Sequence, residues 1–471
     1  MRSVAILAIL LLAFNFAHAD GGVWVNRGAY WDLHPETTQY ALIDFENDYE
    51  RLGLTIEMDA DLAVKKTVWM LPIPANPTTV EIELSEGFPL LYGTSITQEA
   101  QSVVGGAAWL AVGWGFFPLN LPLAFLFIII GRGTISGAAM KTDGLSDSAY
   151  YSDISIFQRV TQGGVTSDLV ATENAQELEN YLRNKGIELT AEHKSMLSEY
   201  IGKKYSFVIT YISDWQKFIT RTAGQKGTIP ISLLIKFPTT KPYFPLKLTS
   251  VYGDASIPVT IYMYGNYKPQ FYGGVNGNVE YYTRGRVSNY YDNYRYRSEN
   301  YDVRGNYIGP KISEEFFRPG RNLNNFEFTK IEMDVPSRNF KEDLWFEPGT
   351  GLKTGVQKTV AENFWFIALL FFIIVTMASS LIAGKLIFRE EKMSDMRLAA
   401  QGLWSLLSMV GFVVATIFWK TRTLDEKTIK QLSAQGVGTF DKRKVTYAGI
   451  YYLLFLILTI VLWGILAVLL G

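Results

Sequence analysis

The chain has 471 residues, of which 48% are hydrophobic and 14% aromatic, while only 19% are charged. Its formal net charge of −1 excludes nucleic-acid binding through bulk positive charge, and the apolar fraction indicates that part of the chain lies in lipid. The absence of cysteine excludes disulfides, thiolate metal sites and cysteine nucleophiles. The three histidines have no triad or metal-binding spacing.

Residues 1–19 have the three parts of a secretory signal peptide. A basic start at Arg2 precedes an apolar run over 4–16, and Ala17-His18-Ala19 matches a small-residue cleavage site. We expect cleavage before Asp20 and an extracytoplasmic location for the residues that follow. An uncleaved N-terminal anchor is the alternative.

Two separate stretches of the chain have strand character. Apolar and alternating runs predict strands at 39–45, 52–58, 67–71 and 79–84, and later at 205–212, 229–237, 246–251 and 257–264. Between them, Thr172 and Thr190 begin two predicted helices that end at Gly186 and Gly202. Neither stretch makes a complete sheet alone, so we expect one α+β domain formed by 20–102 and 140–265.

Residues 103–139 are the apolar insertion that splits this domain. Pro118, Asn120 and Pro122 lie in its middle, and the two prolines would break a continuous helix. A single kinked span and a hairpin that dips into the membrane both fit this pattern. A crossing would put 140–360 in the cytoplasm, whereas a dip keeps that region outside.

Two proline-rich motifs favour the hairpin. The stretch Trp69-x-x-Pro72-x-Pro74-Ala75 and the downstream segment 234–246, Leu-Ile-Lys-Phe-Pro-Thr-Thr-Lys-Pro-Tyr-Phe-Pro-Leu, resemble an uncharacterised prokaryotic family of secreted or membrane-anchored domains of unknown function. The resemblance covers about residues 20–265. It implies that both motifs belong to one extracytoplasmic domain, so the insertion leaves and returns on one side. It implies no activity.

Tyrosine and arginine are concentrated in the predicted extension 266–361. The candidate binding residues are Tyr282, Arg284, Arg286, Tyr290, Tyr291, Tyr294, Arg295, Tyr296 and Arg297. Both residue types supply strong contacts at interfaces with proteins, and outside the cell the same chemistry suits glycans. The alternative is a long irregular extension that packs on its own sheet.

Alternating acidic residues at 44–50 are a candidate metal site. On a strand, Asp44, Glu46, Asp48 and Glu50 would share one face, where oxygen ligands could hold calcium. A solvated strand edge explains the same pattern.

Residues 362–471 contain three apolar runs, 364–388, 398–419 and 447–470, each long enough to cross roughly 30 Å of hydrocarbon. Small residues four apart predict close helix packing at Ser380 and Gly384, and again at Gly411 and Ala415. We therefore expect a three-helix transmembrane bundle. With residues 20–361 outside, three spans place the loop 420–446 outside as well, although its basic residues favour the cytoplasm.

These features give three candidate functions. The leading one is a non-enzymatic, membrane-anchored protein of the cell surface that binds or scaffolds another envelope component. The second is an accessory subunit of a membrane transport or biogenesis complex, and the third is a membrane-bound hydrolase that uses carboxylates. The expected partners are the lipid bilayer and a membrane or envelope protein, with a glycan as a further candidate. Apart from calcium, no cofactor is indicated.

Overall fold

The computed structural model describes residues 22–26, 31–33, 38–59, 67–85, 88–116, 155–184, 189, 191–222, 228–288, 316–388, 394–406, 408–423 and 437–470. The chain divides into two compact units. The β-rich unit is Met1–Ser95 with Gly144–Thr350, and the helical unit is Ile96–Asp143 with Gly351–Gly471. The predicted mixed α+β class, rich in sheet, is confirmed. The signal-peptide residues 1–19 lie outside the described part.

The described strands of the β-rich unit form three sheets. Sheet A has the spatial order β2 (Trp31–Leu33), β1 (Gly22–Asn26), β5 (Thr67–Ile73), β10 (Ser206–Ile212), β9 (Val165–Ala171) and β8 (Ser155–Gln162). Sheet B has the order β6 (Glu81–Ser85), β11 (Thr228–Pro238), β4 (Tyr49–Asp59), β3 (Thr38–Glu46), β13 (Ser256–Tyr264), β16 (Phe326–Pro336), β15 (Asn278–Ser288) and β7 (Leu90–Ser95). Sheet C has the order β12 (Tyr243–Phe244), β17 (Leu344–Pro348) and β14 (Tyr267–Pro269).

Strands from both sides of the apolar insertion pair directly. In sheet A, β5 pairs antiparallel with β10, and in sheet B, β4 pairs antiparallel with β11. The β3 strand pairs with β13 in parallel, and β13 pairs with β16. Residues of the predicted extension 266–361 therefore complete sheet B, and residue 265 is not a structural boundary.

Alternation along the strands builds a core between sheets A and B. Side chains of one parity point inward from each strand, as the period of two requires. The inward set includes Trp69, Leu71, Ile73, Val208, Ile43, Leu54, Ile56, Leu233, Ile261 and Ile331. The opposite face of sheet A packs against two helices, α2 (Ala175–Asn184) and α3 (Ala191–Ser198), through Leu178, Leu182 and Leu197. Helix α4 (Trp215–Thr222) contributes Phe218 to the core between the sheets.

The predicted strand at 246–251 is wrong. Residues Lys247–Tyr252 form a 3-10 helix, because the backbone N–H groups of Leu246 and Lys247 both donate to the carboxylate of Asp343. Two N–H groups directed at one carboxylate require a turn rather than an extended chain.

The helical unit contains α1 (Ile96–Phe116), α5 (Leu352–Glu362), α6 (Phe364–Ile387), α7 (Asp395–Ser405), α8 (Ser408–Thr423) and α9 (Val437–Leu470). Two of the described helical segments, α6 and Thr446–Leu470 of α9, are long and apolar enough to cross a membrane. The three-helix bundle is thus not confirmed.

Helices α6 and α9 are antiparallel. Just before α6, Gln357 Nε2 donates to Leu470 O at 2.5 Å. Further along α6, the ring of Phe372 lies 6.4 Å from that of Phe455, and Thr376 is next to Tyr451. Residues later in α6 therefore contact residues earlier in α9. The start of α6 and the end of α9 lie at the same end of the helical unit.

The predicted span 398–419 is a helical hairpin. Gln401 Nε2 in α7 donates to Thr416 Oγ1 in α8 at 2.8 Å, although they are fifteen residues apart. In a continuous helix this separation would be about 22 Å, so α7 and α8 fold against each other. The break follows a tightened turn in which Ser405 Oγ donates to Gly402 O and Leu406 N donates to Leu403 O. A serine hydroxyl that bonds the backbone in this way competes with the helix.

The insertion enters the helical unit through α1, which runs in the same direction as α6. A methyl group at Gly106 would lie 3.1 Å from Phe364, and the ring of Trp114 meets that of Phe372 edge-on at 5.8 Å. Helix α1, which is described as far as Phe116, therefore lies beside only the first part of α6. The predicted hairpin residues Pro118, Asn120 and Pro122 lie outside the described residues.

The four predicted helix-packing residues are buried: Ser380 and Gly384 on α6, and Gly411 and Ala415 on α8. A methyl group at Gly384 would lie 2.9 Å from Leu398 Cδ2. Glycine at this position therefore allows α7 to approach α6 closely.

Candidate binding face

The face of sheet B that points away from sheet A carries an array of aromatic rings. Tyr264 stacks on Phe326 with ring centroids 4.8 Å apart, and Tyr282 stacks on Phe328 at 4.6 Å with nearly parallel planes. The phenylalanines are buried, while the two tyrosines are half-buried. We call these residues, with Tyr40 and Tyr262, the outer aromatic face. Phe326, Phe328 and Tyr262 are buried in one cluster with Phe88 and Phe316. The half-buried Tyr40, Tyr264 and Tyr282 are therefore the rings of this face that can contact a partner, and flat rings with polar edges do so at low entropic cost.

Three of the predicted binding residues, Tyr282, Arg284 and Arg286, lie on β15. Tyr282 donates its hydroxyl to the Glu280 carboxylate, and burial together with that carboxylate raises its pKa. Arg284 has a left-handed backbone (φ 53°) at an irregularity of the strand, and both Arg284 and Arg286 are exposed. Gly285 separates them, and a side chain there would meet Phe326 O at 2.7 Å.

The remaining predicted binding residues lie outside the described part of the chain. They are Tyr290, Tyr291, Tyr294, Arg295, Tyr296 and Arg297. Of the predicted binding residues in the described part, only Tyr282 lies on the outer aromatic face, because the register shift after Tyr282 turns Gly285 and Val287 toward this face and Arg286 away from it.

The residues predicted to bind calcium, Asp44, Glu46 and Asp48, have protein partners or lie apart from one another in the structure. The Asp44 carboxylate is buried and accepts from Arg321 Nη2 at 2.6 Å and from the backbone N of Arg318 at 3.0 Å. Glu46 also faces Arg321, at 3.4 Å, and Asp48 lies beyond the strand in a turn with φ 54°. No group of three metal-binding side chains occurs in the described ranges. Guanidinium groups thus supply the positive charge expected from calcium.

This ion pair borders the outer aromatic face. The Arg321 guanidinium lies 4.4 Å from the centre of the Tyr264 ring, a cation–π contact. One arginine therefore holds the buried Asp44 and one ring of the face in fixed positions.

A second buried carboxylate, Asp343, was missed by sequence reasoning. It accepts from Tyr200 Oη at 3.1 Å, from Tyr243 Oη at 3.1 Å, and from the backbone N atoms of Leu246 and Lys247 at 3.0 and 2.9 Å. Burial raises its pKa more than these hydrogen bonds lower it. We call these five residues the Asp343 node.

The two proline-rich motifs meet at this node. Tyr243 of the second motif shares its one hydroxyl hydrogen between Asp343 Oδ2 at 3.1 Å and Pro72 O of the first motif at 3.2 Å, and its backbone N donates to Glu50 Oε2 at 2.7 Å. Glu50 is fully buried, its Oε1 has no partner among the described residues, and burial raises its pKa well above the usual value. The only sequence signal for this contact is the presence of Tyr243 in a motif.

These carboxylates hold the fold together rather than face a substrate. Asp343 is enclosed by four donors, and Asp168 in β9 is fully buried, with Arg159 Nε at 2.5 Å and Tyr181 Oη at 2.5 Å. An acid that acts on a substrate must reach the reacting atom. No observation in the described residues favours the hydrolase interpretation.

No family model and no curated protein matches the chain. Among solved structures, the crystal structure of baculovirus P35 aligns with a TM-score of 0.25 and 7% sequence identity, over 67% of this chain and 98% of that one. A TM-score this low carries no argument about fold or function.

Proposed function

We propose that the protein is a non-enzymatic, multi-pass membrane protein of the cell envelope. The helical unit anchors it in the lipid bilayer, and the β-rich unit lies outside the cytoplasm. There the outer aromatic face binds or scaffolds another envelope component, which is a membrane or envelope protein or a glycan.

The observation that carries the membrane assignment is the inverted side-chain distribution of the helical unit. Its buried residues include Thr376, Ser379, Ser380, Gln401 and Thr416. Its exposed residues include large apolar side chains, among them Phe366, Ile374, Leu386, Leu453, Ile460 and Leu469. In water such an exterior would be unfavourable, whereas hydrocarbon solvates it well. Polar groups inside and apolar groups outside are what a bilayer favours.

The helix directions support a topology with two crossings. If α6 crosses the bilayer, the antiparallel α9 crosses back, and the α7–α8 hairpin enters and leaves on one side. The segments 388–394 and 424–436 then lie together on the side opposite the start of α6. This replaces the expectation from three spans that the loop 420–446 lies outside.

The charges agree with this topology. The two segments and their flanks carry Arg389, Lys392, Arg397, Lys420, Arg422, Lys427, Lys430, Lys442, Arg443 and Lys444. Positive loops prefer the cytoplasm, so the start of α6 lies outside. The signal-peptide pattern at 1–19 favours the same orientation for the β-rich unit. The conflict between charge and domain order in the three-span interpretation disappears.

Strand pairing supports a membrane-dipping insertion. Because β5 pairs with β10 and β4 with β11, the chain before and after the insertion belongs to one folded unit. Both ends of the insertion must then lie on the same side of the membrane, as a dip requires.

Residues of the outer aromatic face support the binding role. Tyrosine is enriched among residues that dominate interface energies, and half-buried Tyr264 and Tyr282 lie on this face. The test is purification in mild detergent of the wild type and of Tyr282→Ala, followed by mass spectrometry of what remains bound. Phe157→Ala is the matched control, because Phe157 is an exposed aromatic residue on β8 of sheet A.

We expect a partner to co-purify with the wild type and with Phe157→Ala but to be depleted with Tyr282→Ala. Equal recovery from all three proteins would show that the outer aromatic face is not the binding surface.

The α7–α8 hairpin favours a second candidate, an accessory subunit of a membrane transport or biogenesis complex. Short paired helices with buried polar side chains are common where a membrane protein contacts other subunits or a cavity. A stable integral-membrane partner that remains bound after solubilisation in both the wild type and Tyr282→Ala would favour this function over a surface receptor.

A further inference from the structure

The described parts of sheets A and B end in four edge strands. They are β2 and β8 in sheet A, and β6 and β7 in sheet B. The outer side of an edge strand presents backbone N–H and C=O groups with which a further strand can pair, and folded proteins block such edges with short strands, bulges, charges or covering groups. Three of the four edges are blocked in these ways, and β7 is not.

The β6 edge is covered by a side chain. Ile82 N donates to Gln158 Oε1 at 2.8 Å, and Gln158 Nε2 donates to Ile82 O at 2.8 Å. The Gln158 amide thus makes the two bonds that an adjacent strand would make, and it joins β6 to β8 of sheet A. The side chains of Glu81 and Glu83 are 64% and 47% exposed and add negative charge to this edge. Both features oppose pairing with a further strand.

The two edges of sheet A are blocked by other means. Strand β8 has a register irregularity between Ile156 and Gln158, and it carries Arg159, which is paired with the buried Asp168. Strand β2 is only three residues long and includes Asp32. Bulges, charges and short length all disfavour regular pairing with a further strand.

Strand β7, Leu90–Ser95, lacks these protections. Its sequence, Leu-Leu-Tyr-Gly-Thr-Ser, contains no charged residue and no proline. The extra residue at its register shift belongs to the neighbouring β15, so β7 itself is regular. Tyr92 is 56% exposed and Gly93 is also exposed. Among the described residues, no strand pairs with β7 on the side away from β15.

An uncharged edge is suited to pairing with a second copy of itself. Two identical strands that pair antiparallel about a two-fold axis bring the same residues of both copies together, and like charges opposite each other are destabilising. A β6 pair would bring together Glu81 and Glu83 of two copies, and a β8 pair would do the same with Arg159. A β7 pair brings together only uncharged side chains. Of these four edges, β7 is therefore the one at which charge permits self-pairing.

We propose that two copies of the chain pair through β7, so that sheet B of one copy continues into sheet B of the other. Two β7 strands then separate β15 of one copy from β15 of the other. Neighbouring strands are about 4.8 Å apart, so the two Tyr282 residues lie about 14 Å apart across the dimer. Where the outer faces of the two sheets match, the dimer presents two outer aromatic faces side by side. The pairing itself depends only on β7 and not on the partner in the proposed function.

Disulfide crosslinking of the full chain in membranes tests this pairing, since the chain has no cysteine of its own. Single cysteines replace Leu90, Tyr92 and Thr94, which share one face of the strand. Gly93 is left unchanged because a side chain there would lie 2.7 Å from Phe328. Each variant is oxidised alone and after co-expression with each of the others, which gives six combinations. One pairing register places only one or two of these combinations directly opposite, with Cα atoms about 4.5–5.5 Å apart, as a disulfide requires.

We expect one or two of the six combinations to form crosslinked dimer several-fold more than the rest. They should also exceed Thr161→Cys, the matched control, because Thr161 is exposed on the edge strand β8. In the cysteine-free chain, light scattering in mild detergent measures the dimer fraction directly. Tyr92→Lys should reduce that fraction several-fold, because lysine on an edge opposes pairing, and Tyr92→Phe should leave it unchanged.

Three results would overturn the proposal. Crosslinking no greater than that of Thr161→Cys in every combination would show that another partner or another part of the chain covers β7, or that the edge stays open. Equal crosslinking in all six combinations would indicate random collision. A dimer that persists in Tyr92→Lys would place the contact elsewhere. None of these results bears on the recovery of a partner with Tyr282→Ala, so the two proposals fail separately.

Discussion

Removing the Asp343 carboxylate should destabilise the β-rich unit strongly. In Asp343→Ala, the Tyr200 hydroxyl and the backbone N–H groups of Leu246 and Lys247 lose their acceptor, while Tyr243 keeps Pro72 O. Each buried donor left unpaired costs about 1–3 kcal/mol. Part of this is offset because the buried carboxylate, whose pKa is raised, is itself unfavourable. We expect a loss of about 3–5 kcal/mol.

Hydrogen-exchange mass spectrometry measures this loss where it occurs. Peptides that cover β12 and β17 report the free energy of opening around the node, independently of the helical unit. Asp334→Ala is the control, since Asp334 is an exposed aspartate on β16 and should change stability by less than about 0.5 kcal/mol. Equal, small effects of both substitutions would show that the Asp343 node does not hold the two motifs together.

Two further predictions concern buried positions. Glu50 has a folded-state pKa above its unfolded value of about 4.5, so the folded protein keeps a proton that the unfolded chain releases, and stability falls as pH rises above that value. Relative to Glu50→Gln, the wild type should lose up to about 1.4 kcal/mol per pH unit until the folded-state pKa is reached; parallel stability curves from pH 5 to 8 would refute this. Gly384→Ala should weaken α7 packing, since its methyl would contact Leu398 and Gln401, whereas Gly402→Ala, with its nearest neighbour at 3.7 Å, should be tolerated. Thermal unfolding in detergent compares the two, and equal melting temperatures would contradict the packing argument.

The local sequence pattern was sufficient to predict many strands of the β-rich unit. The alternating or apolar runs predicted at 52–58 and 257–264 correspond to β4 and β13, because a strand with one face on a core must alternate. The strand prediction for 246–251 failed because the carboxylate of a distant residue, Asp343, accepts hydrogen bonds from the backbone N–H groups of Leu246 and Lys247. That contact spans almost a hundred residues and leaves no periodic signal.

The apolar length of 398–419 predicts a single span that the structure does not contain. The run is long enough to cross a bilayer, and its composition contains no proline to mark a break. The fold-back depends on Ser405, which bonds the backbone of its own helix, and on the long-range bond from Gln401 to Thr416. Neither contact can be read from hydropathy, which records only composition.

The candidate sites show the same limit. The alternation of acidic residues correctly predicted that Asp44 lies on a strand. The positive partner of Asp44 is Arg321, which is more than 270 residues later in the chain and therefore not visible in the local pattern. Tyr282, Arg284 and Arg286 were predicted as binding residues from composition alone, because an unusual concentration of tyrosine and arginine is visible in the sequence. Glu50 and Asp343 are ordinary acidic residues in sequence, and only burial distinguishes them.

The topology with two crossings is tested most directly by cysteine labelling on intact cells, since the native chain has no cysteine. Single cysteines replace Ser198 in the β-rich unit, Ser394 before α7 and Ser433 after α8, and a membrane-impermeant maleimide is added. We expect labelling of Ser198→Cys on intact cells, and labelling of Ser394→Cys and Ser433→Cys only after permeabilisation. Labelling of Ser433→Cys on intact cells, with Ser394→Cys protected, would establish a third crossing and contradict the α7–α8 hairpin. Protection of Ser198→Cys would place the β-rich unit in the cytoplasm and contradict the proposed function.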